Sequence, residues 1–88
     1  MPQRYLIVTT IDNDPIVTFR ESKPGEIVVE TVWKKEFRVR FESKVQTGVY
    51  TTIDGVCQLI RPDHPRFMQA LKEYYTAPGI VARIVNMH

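Results

Sequence analysis

Apolar residues in this chain fall into short runs rich in β-branched and aromatic side chains, a pattern that predicts strands. Residues 5–11 and 80–85 are apolar at nearly every position, which indicates a first and a last strand that share the centre of a sheet. Residues 16–20 and 26–33 predict two further strands. Turn formers separate these runs: Asp12 to Pro15, and then the pair Pro24-Gly25, which is typical of a type II turn.

Residues 37–41 show the clearest two-residue period. Phe37, Val39 and Phe41 alternate with Arg38 and Arg40, which predicts a strand with one apolar face and one charged face. No turn former occurs at Lys34 or Lys35, so the length limit of strands is the only reason to expect a hairpin before residue 37. One long bent strand with a bulge is the alternative.

Residues 49–53 and 56–60 flank Asp54-Gly55. Asp-Gly between two strand-like runs predicts a two-residue hairpin, because both turn positions need a positive φ.

The segment from about His64 to Thr76 predicts one helix. Asp63 is expected to cap it, and Pro65 falls in its first turn, where a missing N–H is tolerated. Apolar positions repeat at helical spacing on one face: Phe67, Met68, Ala70, Leu71, Tyr74 and Tyr75. The Pro78-Gly79 pair then ends the helix before the last strand, which either pairs directly with the first strand or follows a right-handed crossover.

Together these elements predict an α+β fold, a largely antiparallel sheet of five to seven strands with one helix before the last strand. A small, partly open β-barrel is the alternative architecture. With 88 residues, 43% of them apolar and 25% charged, the chain has the length and composition of one globular domain spanning residues 1–88. The sequence lacks a signal-peptide pattern and a long apolar stretch, and it has only one cysteine, Cys57. These features favour a cytoplasmic protein without a membrane partner.

Motifs for catalysis, cofactors or metals are missing from the sequence, so we expect neither an enzyme nor a cofactor. Cys57, His64 and either Asp63 or Asp54 have the residue types of a nucleophilic triad. Cys57 is better interpreted as a small buried apolar residue, and Asp63 as the helix cap. Asp12 and Asp14 suggest a hard-metal site only weakly, because the Gly and distal Glu of a calcium loop are missing.

Charge is uneven along the chain, although its net value is only +2. Residues 1–32 carry three cationic and five acidic side chains, whereas residues 33–44 carry five cationic and two acidic ones. The predicted binding residues therefore lie in this second segment: Trp33, Lys34, Lys35, Arg38 and Arg40. In the predicted strand, Arg38 and Arg40 stand side by side on the outer face.

Two functional hypotheses follow from this segment. The first is a small non-catalytic adaptor or inhibitor that docks on another protein, or on a second copy of itself, through an exposed sheet face or edge. The alternative is a nucleic-acid-binding domain in which the same cations contact phosphates and Trp33 or Tyr50 stacks on a base. Solvation and ion pairing with neighbouring glutamates explain the same charges without any partner.

Overall fold

A computed structural model describes residues 3–87, which form six strands and two α-helices. The strands are β1 (Gln3–Thr10), β2 (Pro15–Lys23), β3 (Glu26–Val32), β4 (Val49–Ile53), β5 (Val56–Ile60) and β6 (Ile80–Met87). The helices are α1 (Arg38–Thr47), which follows a 3-10 turn at Lys35–Phe37, and α2 (Phe67–Tyr75). All strand pairs are antiparallel, so the predicted α+β class and the predicted range of strand number are confirmed.

Four strands form the larger sheet in the order β3-β2-β1-β6. The last strand pairs directly with the first, with Leu6 opposite Ile84 and Val8 opposite Ala82. This is one of the two predicted connections. The expectation that both strands share the sheet centre is wrong for β6, because β2 and β6 occupy the two sides of β1 and leave β6 at an edge.

The strands β4 and β5 form a separate two-stranded sheet. Asp54 and Gly55 have φ values of 53° and 80° in the turn between them, which confirms the predicted Asp-Gly hairpin. With one sheet of four strands and one of two, the described residues form no closed barrel.

The hydrophobic core lies between one face of the larger sheet and α2. Alternate residues of the central strands point to this face, and they include Leu6, Val8, Val17 and Phe19, which are almost fully buried. The helix α2 contributes Phe67, Met68, Ala70 and Leu71, as its amphipathic pattern predicts. The helix packs against β1, β4 and β6, whereas α1 packs against β3.

The segment predicted as a strand from Phe37 to Phe41 is helical, so the prediction of a single helix is wrong. Phe37 and Phe41 are also one helical turn apart, and Val45 continues that spacing toward the core. Half of the residues from 38 to 47 are good helix formers, and the helix ends at Gly48, whose φ is 92°. The exposed side chain of Val39, with 80% of its surface accessible, is what made the segment resemble a strand.

The start of α2 also differs from the prediction. The helix begins at Phe67 rather than His64, and its N-cap residue, Arg66, makes no side-chain capping bond, so the capping role of Asp63 is wrong. Between residues 61 and 67 the chain makes two successive turns, in which His64 N–H donates to Arg61 O and Phe67 N–H to His64 O. The imidazole Nδ1 of His64 accepts a bond from Arg66 N–H at 3.0 Å.

Neither helix in the described part of the chain has the length and apolar character needed to cross a bilayer.

Candidate functional site

The five predicted binding residues lie on the connection from β3 into α1 and on the first turn of that helix. All five are exposed. Residues two apart on a helix do not share a face, so the predicted side-by-side arrangement of Arg38 and Arg40 is wrong. The helix instead separates the two guanidinium groups and gives them different neighbours.

Arg38 lies on the outer face of α1. Its Nη1 is 3.5 Å from Oε1 of Glu42, one turn further along the same helix. This ion pair is about half exposed at both ends, which makes it a surface pair of small energetic effect.

Arg40 lines an open cleft of about 490 Å³ between α1, the end of α2 and the larger sheet. Its lining is mainly apolar and aromatic, with two cations and no carboxylate: Val8, Ile16, Lys34, Phe37, Arg40, Phe41, Tyr74, Tyr75 and Ile80. Pockets that bind small molecules or single side chains commonly have about 300–1,000 Å³ of volume and an apolar lining with a few polar groups. This cleft, defined by those nine residues, is the candidate site.

Tyr75 is the centre of an aromatic cluster behind the cleft. Its ring stacks on Phe19 with a centroid distance of 5.5 Å and meets Phe41 and Tyr74 edge-on at 5.9 and 4.9 Å. Edge-to-face and offset contacts at these distances are the favoured aromatic arrangements. The cluster therefore fixes the back wall of the cleft through contacts from β2, α1 and α2.

The hydroxyl group of Tyr75 is buried and has no hydrogen-bond partner among residues 3–87. Burial raises the pKa of this phenol above its usual value, Tyr74 raises it further, and the positive charge of Arg40 opposes both effects. The hydroxyl is therefore protonated at neutral pH.

Lys44 adds a third cation beside the cleft. Its Nζ lies 5.2 Å from the centroid of the Tyr74 ring, in the geometry of a cation–π contact. Arg40 and Lys44 are one helical turn apart, so α1 presents both on the same side. Chemically, the arrangement suits a ligand with an apolar body and a negative group.

The residues considered for catalysis do not converge in this cleft. Cys57 is exposed on β5, so its interpretation as a buried apolar residue is wrong. Oδ2 of Asp54 in the hairpin turn lies 3.7 Å from Nη1 of Arg66, the N-cap residue of α2, and neither residue lines the cleft. Among residues 3–87, His, Cys, Asp and Glu side chains form no group of three that could hold a metal ion.

Sequence reasoning placed Lys34 and Arg40 among the binding residues but missed the aromatic half of the cleft. Tyr74 and Tyr75 were both assigned to the core face of the second helix. Both tyrosines fit the apolar stripe of the helix, but only Tyr75 packs against the core, whereas Tyr74 at the end of the helix remains 38% exposed.

Comparisons with protein-family models, with curated proteins and with solved structures give no match to this chain.

Proposed function

We propose that this chain is a non-catalytic binding protein that docks on another protein, and that the cleft receives an acidic side chain of that partner together with an adjoining apolar one. The supporting observation is the composition of the cleft: aromatic walls, two cations and no carboxylate. The expected partner is the same as in the sequence-based hypothesis, but the docking surface moves from a sheet face to this cleft, because residues 38–47 are a helix.

A carboxylate that enters the cleft meets Arg40 and Lys34 at its edge. Charge-assisted hydrogen bonds to such groups contribute about 1.5–3 kcal/mol, more than neutral ones. Tyr75 adds an aromatic wall to the cleft, while its hydroxyl is buried.

The apolar lining favours a partner that presents an apolar side chain as well as a negative charge. Ile16, Phe41 and Ile80 line the cleft beneath the cations, and an aliphatic or aromatic side chain packed there would remove apolar surface from water on both sides. Interfaces of protein partners combine such anchors with arginine at their centre. The single cysteine of the chain is compatible with action in the cytoplasm, where we place the protein.

Single-stranded nucleic acid is the second candidate partner, and exposed aromatic residues beside the cations favour it. Trp33, Phe37 and Tyr74 expose 48%, 40% and 38% of their surfaces. Bases stack on such rings while cations track the phosphates, and affinity then falls steeply with salt. We rank this candidate second because aliphatic side chains such as Ile16 and Ile80 line the cleft, whereas base stacking needs only exposed rings and cations.

An affinity pull-down from the native host separates the two candidates, with wild type, Arg40→Glu and Arg38→Glu used as baits and each run repeated after nuclease treatment. The proposal predicts a nuclease-resistant protein partner that Arg40→Glu loses and Arg38→Glu keeps. Capture abolished by nuclease would support the nucleic-acid candidate instead. Equal capture by both variants would contradict a role for the cleft.

A further inference from the structure

The strand β5 leaves one edge of the small sheet unpaired. Within residues 3–87, β5 pairs only with β4, and no other element makes a backbone hydrogen bond to residues 56–60. Four of its five residues are exposed, including Val56 at 59% and Leu59 at 38%. A strand edge of this kind is a template for pairing with another strand.

The direction of the free backbone groups follows from the hairpin register. Ile53 and Val56 flank the two-residue turn, so they form a hydrogen-bonded pair, and such pairs alternate along an antiparallel ladder. Gln58 and Ile60 therefore direct their N–H and C=O groups to β4. Cys57 and Leu59 direct theirs outward, toward the free edge.

Other strand edges of the described fold are protected in ways that β5 is not. The edge strand β3 carries Glu26 and Glu30, and β6 carries Arg83. The neighbouring strand β4 is uncharged, but α2 packs against it. Charged side chains and packing partners are the usual protection against edge pairing, and β5, with the sequence Val-Cys-Gln-Leu-Ile, has neither.

The ends of β5 carry opposite charges, which favours a second copy of the same chain as the partner. Asp54 precedes the strand and Arg61 follows it, and both side chains are exposed. Arg61 makes no ion pair within the described residues, and Asp54 contacts Arg66 only at 3.7 Å. In an antiparallel pair of two copies, the acidic end of each strand lies beside the basic end of the other.

We infer that two copies of this chain associate through β5 about a two-fold axis that passes beside Gln58, joining the two hairpins into one four-stranded sheet. In this register Cys57 of each copy pairs with Leu59 of the other, and the four outward-directed backbone groups find partners. Asp54 and Gly55 then lie beside Arg61 of the other copy. The interface is isologous, as two-fold dimers require, and none of the residues that line the cleft lies on β5.

The oligomeric state across a range of protein concentrations tests this inference, measured by light scattering after size exclusion. Wild type is expected to reach twice the mass of one chain, and Leu59→Lys, which places a charge on the free edge, is expected to remain monomeric. Tyr50→Lys is the matched control: Tyr50 lies opposite Leu59 on the same face but on β4, so this variant is expected to dimerise. Circular dichroism confirms that each variant is folded.

Disulfide trapping tests the register independently of the charge variants. In a Cys57→Ser background, Gln58→Cys places one thiol of each copy beside the two-fold axis, where directly opposite Cα atoms of a non-hydrogen-bonded pair are about 4.5 Å apart, within disulfide range. Oxidation is expected to give covalent dimers, whereas Thr52→Cys in the same background is expected to give none. A wild type that stays monomeric at every concentration would overturn the inference. So would a dimer that persists in Leu59→Lys and is not trapped through residue 58.

Discussion

The aromatic ring of Tyr75 stacks on that of Phe19 with their centroids 5.5 Å apart, while the hydroxyl group on the same ring has no hydrogen-bond partner among residues 3–87. The ring therefore contributes to the stability of the core, whereas the hydroxyl forms no hydrogen bond there. A buried donor without an acceptor destabilises the folded state.

Replacement of the hydroxyl separates these two effects. We predict that Tyr75→Phe raises the free energy of unfolding by about 1 kcal/mol, because it removes an unsatisfied polar group and keeps the aromatic contacts. Urea denaturation measures the change. Tyr74→Phe, whose ring is partly exposed, is the control and should leave stability nearly unchanged; a loss of stability in Tyr75→Phe would show that the hydroxyl already has a partner.

The burial of Tyr75 should also make the free energy of unfolding depend on pH in the alkaline range. The pKa of Tyr75 is raised by burial, so above about pH 10, the usual value for tyrosine, the unfolded chain releases this proton while the folded protein keeps it. The folded state then binds more protons, and the free energy of unfolding must fall as pH rises. Denaturation curves between pH 8 and 11 are expected to show a steeper fall for wild type than for Tyr75→Phe, and parallel curves would contradict the buried position of the phenol.

Two glycines with positive φ are expected to respond very differently to alanine. At Gly55, with φ at 80° and open space around it, Gly55→Ala introduces only backbone strain of about 1–2 kcal/mol. At Gly48, with φ at 92°, an added Cβ would also fall on the carbonyl oxygen of Ile60, far inside van der Waals contact. We predict that Gly48→Ala destabilises by about 3 kcal/mol or more, because strain and overpacking combine. Thermal or urea unfolding compares the two variants, and equal effects would contradict the close approach of α1's end to β5.

The cation–π contact between Lys44 and Tyr74 is expected to contribute less to the free energy of unfolding than Gly48 does. Lys44→Met keeps much of the side-chain length but removes the charge above the ring, and we expect a loss of about 0.5–1 kcal/mol in the free energy of unfolding. Lys35→Met is the matched control, since Lys35 is exposed and makes no ion pair with a described residue. If both variants lose the same stability, the ring contact contributes nothing measurable.

Turns of this fold were predictable because their backbone geometry is dictated locally. Asp54-Gly55 and Gly25 adopt positive φ as their sequences require, and the strands on either side follow. The helix α2 was equally readable from the spacing of its buried residues, although its first turn was not, since two prolines and His64 hold residues 61–66 in turns instead.

The segment from Phe37 to Phe41 was misassigned because five residues are too few to separate a period of two from one of 3.6. Phe37 and Phe41 fit both patterns, and only the helix-forming residues up to Thr47 and the stop at Gly48 distinguish them. For the site, a local excess of cations pointed to Lys34 and Arg40. The pairing of Arg38 with Glu42 follows from their i, i+4 spacing once the segment is known to be a helix. The lack of a partner for the Tyr75 hydroxyl among residues 3–87 depends on tertiary packing, which no local pattern encodes.

The most direct test of the cleft is a chemical-shift titration of the ¹⁵N-labelled protein with a blocked aspartate–phenylalanine dipeptide and with its neutral counterpart, blocked asparagine–phenylalanine. We predict saturating shifts at Arg40, Phe41, Tyr74 and Tyr75 with the acidic peptide. Its affinity should exceed that of the neutral peptide roughly tenfold, the equivalent of one charge-assisted hydrogen bond. Arg40→Glu should abolish the difference between the peptides and Arg38→Glu should preserve it. Equal responses to the two peptides, or shifts confined to residues outside the cleft, would contradict the proposed function.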